Sequence, residues 1–161
     1  MSEHRIRVAK DKAELVKSLI AAADNNSPFQ TYADAILFAA VLGAKQHRRV
    51  TLGEISKKEP GPISLDIFIS RGYDPVMKLI AIRATENINV ISPDRADFEQ
   101  QRINIFEEYV NGGLELLAQE LCGAVDYTER ILLMLSTAIN TQKTASSPEN
   151  SSGEFDLRKF L

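Results

Sequence analysis

The chain is poor in the residues that carry most enzyme chemistry: among 161 residues there are one cysteine, two histidines and no tryptophan. A lone thiol, Cys122, allows no internal disulfide and fits a reducing, cytoplasmic setting. Metal sites need several Cys, His or carboxylate ligands at short spacing, and His4, His47 and Cys122 are scattered. His4 lies near a terminus expected to fray, and His47 sits in a run of cations that opposes its protonation, so neither makes a persuasive general base. Cys122, at an apolar helix end, reads as a buried and inert thiol. Gly61 and the pair Gly112-Gly113 match no phosphate-cradling loop. The carboxylates between Asp94 and Glu120 read as the solvated face of a long helix. No catalytic residue, metal or cofactor is therefore expected. The opening Met1-Ser2-Glu3-His4-Arg5 lacks a signal peptide's apolar run. The longest apolar stretch, Ala35 to Ala44, is about half of the ~20 residues a membrane-spanning helix requires.

What is present is enough for one mostly helical domain. Hydrophobic residues make up 44% of the chain, sufficient for a real core. The formal charge of -3 conceals an asymmetry, with residues 1–50 at +3 and residues 93–130 at -6. A basic front and an acidic rear suit either a nucleic-acid face or self-complementary packing between subunits.

Along the chain, Arg5 and Arg7 alternate with Ile6 and Val8, the period-two pattern of a half-buried strand. Asp11 and Glu14 have capping-box spacing, and Ala13, Val16, Leu19 and Ile20 follow at helical intervals, which predicts a helix over about Lys12 to Ala23. Thr31 caps a second helix, Tyr32 to Lys45, with Asp34 in its first turn. That helix is apolar on every side from Ala35 to Ala44, so it needs either a central place in the fold or a dimer interface. Ile63 to Ile69 alternates like a strand, while Ser64 as a cap and Gly72 as a stop favour a short helix. Asp74-Pro75 and Ser92-Pro93 open two further helices, to about Ala84 and Asn111, the second with Phe98, Ile105, Phe106 and Tyr109 inward. Gly112-Gly113 is a potential break before Leu114 to Leu121 resumes. Asp126 and Glu129 start a last helix at Tyr127 that runs to about Ile139.

A strand bearing arginines followed by two amphipathic helices is the order of a ribbon-helix-helix module, here over residues 4–46. In that plan strands from two subunits pair and enter the major groove, and the second helices form the dimer core. Arg5 and Arg7 would read base edges, Lys10, Lys45, Arg48 and Arg49 would add to the DNA contact, and the amides near Thr31 would hold a phosphate. The bland alternative is an edge strand whose arginines simply face water.

Beyond the domain at residues 1–140, the stretch 141–153 is rich in Ser, Thr, Asn and Gln and reads as a flexible linker. Residues 154–161 then place Phe155, Leu157, Phe160 and Leu161 within eight positions. This is either a strap folded back on the domain or a docking peptide for another protein.

Five phrases, taken together, resemble the small accessory-protein family associated with the bacterial Dnd system, which introduces phosphorothioate linkages into DNA. They are Arg5-Ile6-Arg7-Val8-Ala9, Pro28-Phe29-Gln30-Thr31-Tyr32-Ala33-Asp34, the run Phe38 to Lys45, Arg71-Gly72-Tyr73-Asp74, and the run Phe106 to Glu115. The end of the chain, Gly153 through Leu161, is similar to that family's C-terminal signature. The resemblance implies a context, restriction or phage defence linked to sulphur-modified DNA, and implies no reaction. The expectation is a non-enzymatic accessory protein, a cytoplasmic homodimer that binds duplex DNA or bridges DNA and other proteins of the system. The alternative is a protein-only adaptor that docks a larger subunit through its C-terminal peptide.

Overall fold

Six helices and one two-stranded ribbon occupy the described part of the computed structural model, residues 4–20 and 27–145. In chain order they are β1 (Arg5–Ile6), α1 (Ala13–Ser18), α2 (Tyr32–Lys45), β2 (Ile63–Ser64), α3 (Leu65–Ser70), α4 (Asp74–Thr85), α5 (Ala96–Glu120) and α6 (Tyr127–Ala145). Short 3-10 turns at Lys10–Lys12 and Ile88–Ile91 precede α1 and α5.

The α2 helix starts where the sequence places it. Thr31 Oγ1 accepts the Asp34 amide at 3.4 Å, and Asp34 Oδ2 accepts the Thr31 amide at 3.1 Å, so two otherwise orphaned donors are satisfied reciprocally. Its small residues Ala35, Ala39, Ala40 and Gly43 are buried and face α5. Close approach is the reason they are small. A Cβ on Gly43 would lie 2.2 Å from the Tyr109 carbonyl oxygen, and one on Gly113 would lie 1.7 Å from that of Ala39. Gly112 is equally tight against the Arg48 carbonyl, at 1.9 Å. The Gly112-Gly113 pair therefore does not interrupt the helix: α5 runs unbroken from Ala96 to Glu120, and the glycines are the notch into which α2 fits.

This crossing gives the apolar helix a central place against α5 and α1, while Val41 on its outer side remains 43% exposed. Phe106 of α5 extends the core to α3, with its ring edge-on to Phe68 at 5.9 Å. Fully buried Ile36 and Phe106 each contribute about 1.5–3 kcal/mol relative to exposure.

The N-terminal strand also differs from the ribbon-helix-helix expectation. β1 pairs antiparallel with β2 of the same chain, Arg5 opposite Ser64 and Ile6 opposite Ile63. The following residues keep to the same partner segment, since the Ser56 amide donates to the Val8 carbonyl and Ala9 bridges Ile55. The ribbon that would join two subunits is thus made in cis. Ile63 to Ile69 fulfils both halves of its ambiguous pattern, a strand for two residues and then α3, capped by Ser64 Oγ accepting the Asp66 amide at 3.3 Å.

Three boundaries move, the first being the end of α1, at Ser18 and not near Ala23. Asp11 does not cap α1, because Lys10–Lys12 winds as a 3-10 turn and Asp11 pairs with Lys12 at 2.5 Å instead. The last helix continues past Ile139 to Ala145, so residues 141–145 are helix rather than linker. Its start is as expected, with Asp126 Oδ1 accepting the Glu129 amide at 3.0 Å.

Candidate functional site

Three of the four arginines of the basic front are claimed by the acidic helix α5. Arg7 closes on Glu107 with four bonds: its amide donates to Oε1 at 2.7 Å, Nε to Oε1 at 2.9 Å and to Oε2 at 3.2 Å, and Nη2 to Oε2 at 2.6 Å. The Glu107 side chain is only 2% exposed, against 42% for Arg7, so the carboxylate is the buried member. This bidentate partner holds the Arg7 guanidinium still more firmly protonated than usual. The next residue, Glu108, pairs with Arg49, and about two turns further along α5 Glu115 accepts Arg48 Nη2 at 2.7 Å. The +3 and -6 segments are therefore complementary within one chain, a solution that neither the nucleic-acid nor the inter-subunit reading contained.

The remaining expected contacts are placed as follows. Arg5 is exposed and donates to the Pro62 carbonyl at 3.3 Å, and Lys10 pairs with Glu54 at 2.8 Å. Thr31 serves as the α2 cap described above, and the Asp34 carboxylate already supplies the negative charge that a phosphate would bring to that helix end. Lys45 is exposed and makes no ion pair with a described residue. Phe155, Leu157, Phe160 and Leu161 lie outside the described residues. Cys122 is exposed, contrary to the buried thiol expected, since α5 ends just before it and the chain turns away. His47 adopts φ 53° and its Nε2 lies 3.2 Å from Arg83 Nη2, while His4 lies 3.4 Å from Glu99. Among the described residues no group of three His, Cys, Asp or Glu is arranged to hold a metal, and no helix is long and apolar enough to cross a membrane.

A second polar junction fastens the start of α2 to the turn between α3 and α4. Asp34 Oδ1 accepts Tyr73 Oη at 2.5 Å and Arg71 Nη1 at 3.0 Å. Burial alone would push the Asp34 carboxyl up, but bonds from Tyr73 and Thr31 and the charge of Arg71 together outweigh it, leaving it below the ordinary carboxylate range. A folded-state pKa below the unfolded one means that the stabilisation is complete above about pH 4 and is lost as pH falls through the folded value. Asp34→Asn is accordingly expected to cost about 1–2 kcal/mol at pH 7 and to flatten the loss of stability below pH 4. Urea titrations of both proteins at pH 7 and pH 3 check this, and an equal difference at the two pH values would contradict it.

What the charge and motif patterns missed is apolar. On α6 the large side chains of Leu132, Leu133 and Ile139 are exposed at 58%, 55% and 53%, and Val125 just before the helix is fully exposed. The signal was present in the unbroken run Ile131-Leu132-Leu133-Met134-Leu135, which no helix can bury on one stripe. Only Ile131 of α6 is buried. Its other side forms one wall of an apolar groove of about 340 Å³, floored by Phe38 and Leu42 of α2, Leu116 of α5, and Met134 and Leu135, with Lys45 on the rim.

A family model described as DNA sulphur modification system-associated protein 4 matches residues 5–160. The chain belongs to that family. No curated protein and no solved structure matches it. Membership bears out the accessory family indicated by the five phrases, and in the structure those phrases touch one another. The phrase holding Arg7 meets the one holding Glu107, the run containing Ala39 and Gly43 meets Tyr109 and Gly113, and Asp34 meets Arg71 and Tyr73. In this family member the phrases are the joints of the fold.

Proposed function

We propose that the chain is a non-enzymatic adaptor of the DNA sulphur modification system, acting through protein contacts at the outward side of α6 and not as a reader of duplex DNA. The observation that carries this reading is the exposed stripe of Leu132, Leu133 and Ile139 on an otherwise ordered helix. Family membership indicates the occupant: another protein of the same system, offering a complementary apolar groove to a helix face. The commitment of Arg7, Arg48 and Arg49 to α5 carboxylates supports the same reading, since each would have to be pulled from a partner before meeting a phosphate.

Co-expression with each of the other proteins of the system, followed by size-exclusion chromatography, tests it. A stable complex is expected with at least one of them. The pair Leu132→Asp and Ile139→Asp should weaken that complex at least tenfold, because desolvated apolar anchors contribute about 2 kcal/mol each at interfaces. The thermal midpoint should not fall, as both side chains face solvent in the free protein. Undiminished assembly of the double variant would remove the proposal.

A further inference from the structure

The groove between α2, α5 and α6 is lined by Met134, Leu135 and Ala138 and by none of Leu132, Leu133 and Ile139. Its exposed apolar members include Val41 at 43% and Leu135 at 39%, side chains that a folded domain ordinarily covers. A volume of about 340 Å³ lies at the small end of ligand pockets, enough for a few side chains of an extended peptide and too little for a packed helix. Its single unpaired charge toward a described residue is the cation Lys45.

We propose that residues 154–161 of the same chain occupy this groove in cis, with Phe155 and Leu157 on the apolar floor and Asp156 turned toward Lys45. Alternation along an extended segment places 155 and 157 on one side and 156 on the other, which matches an apolar floor with Lys45 beside it, the other charge of the lining, Glu120, being paired with Arg130. The reach is sufficient. From Ala138 on the groove wall, α6 continues seven residues to Ala145, carrying the chain about 10 Å away. The ten residues from Ala145 to Phe155 span up to roughly 33 Å, so the return is made with slack. Tethering at this length gives an effective concentration on the order of millimolar, so that even a weak peptide contact is well populated. The family match extends to residue 160, which places this segment inside the family's own unit. The inference stands independently of the adaptor reading, which uses Leu132, Leu133 and Ile139, residues that do not line the groove.

Methionine methyl resonances of the full chain supply the test, because the chain has three methionines, of which Met134 lines the groove and Met77 is buried in the core at 4% exposure. A cross-peak between the Met134 methyl and the Phe155 ring, told apart from that of Phe38 on the groove floor by its loss in Phe155→Ser, is expected, with intensity independent of protein concentration. Phe155→Ser with Leu157→Ser should remove the ring-current displacement of Met134 and leave Met77 in place. Lys45→Glu should move Met134 in the same direction, and adding Asp156→Lys to that variant should move it back. An unmoved Met134 in the Phe155/Leu157 variant would overturn the proposal. A cross-peak that fades on dilution would also overturn it, by assigning the groove to a second copy.

Discussion

Arg7→Ala is expected to lower the unfolding free energy by about 2–4 kcal/mol, while Arg48→Ala lowers it by at most about 1 kcal/mol. The two arginines look alike in the sequence, and each meets a glutamate on α5. The difference is burial of the carboxylate. Removing Arg7 leaves Glu107, 2% exposed, with the residue 7 amide as its remaining partner among the bonds described. Removing Arg48 leaves Glu115, 27% exposed, free to hydrate. A fully buried pair broken on one side costs about 3–5 kcal/mol, and the half-exposed guanidinium reduces that figure here. Replacing both members, Arg7→Met with Glu107→Leu, should recover most of the loss, because no buried charge is then left without a counterion. Urea denaturation of the four proteins decides the matter, and equal costs for Arg7→Ala and Arg48→Ala would show that Glu107 is not the critical buried charge.

Gly113→Ala is the smallest substitution with a comparably large expected effect. The added methyl would sit 1.7 Å from the Ala39 carbonyl oxygen and 2.5 Å from its carbonyl carbon. Both are backbone atoms of a helix, so relief requires α2 and α5 to separate along their whole crossing. Overpacking of a core commonly costs about 1–3 kcal/mol, and a clash between two helix backbones lies at or above the top of that range. The gain of roughly 1 kcal/mol that alanine ordinarily brings over glycine inside a helix does not offset it. Gly72→Ala provides a contrast, since no atom stands within 4 Å of its added methyl and its cost comes from φ +77° alone. A Gly113→Ala protein with an unchanged thermal midpoint would contradict the tight crossing.

Local signals were legible at three helix starts and misled at Asp11, which lies in a 3-10 turn and does not cap α1. Thr31 with Asp34 marks the start of α2, Asp74-Pro75 that of α4, and Asp126 with Glu129 that of α6. Long-range pairing was not. The partner of β1 is a two-residue strand some 58 positions away whose own pattern was ambiguous, so the strand suggested pairing with a second subunit. Arg7 and Glu107 are 100 positions apart, and no spacing rule links a lone arginine to one glutamate among the nine acids of residues 93–130. Gly112-Gly113 read as a helix break because propensity alone penalises glycine, whereas tertiary packing required the absence of a Cβ there. The accessory family was legible from the phrases themselves, though their role as joints between α2, α5 and the ribbon emerged only in three dimensions.

The central claim is that the arginine-rich front serves the fold, fastened to α5, and that the protein works by docking other proteins. Fluorescence anisotropy of labelled duplex DNA, titrated with the full chain at ionic strengths from low to physiological, tests it most directly. The account predicts no saturable binding across the series. Binding whose affinity falls with a slope of several in log–log against salt, and which weakens when Arg48 and Arg49 are changed to Ala, would contradict it.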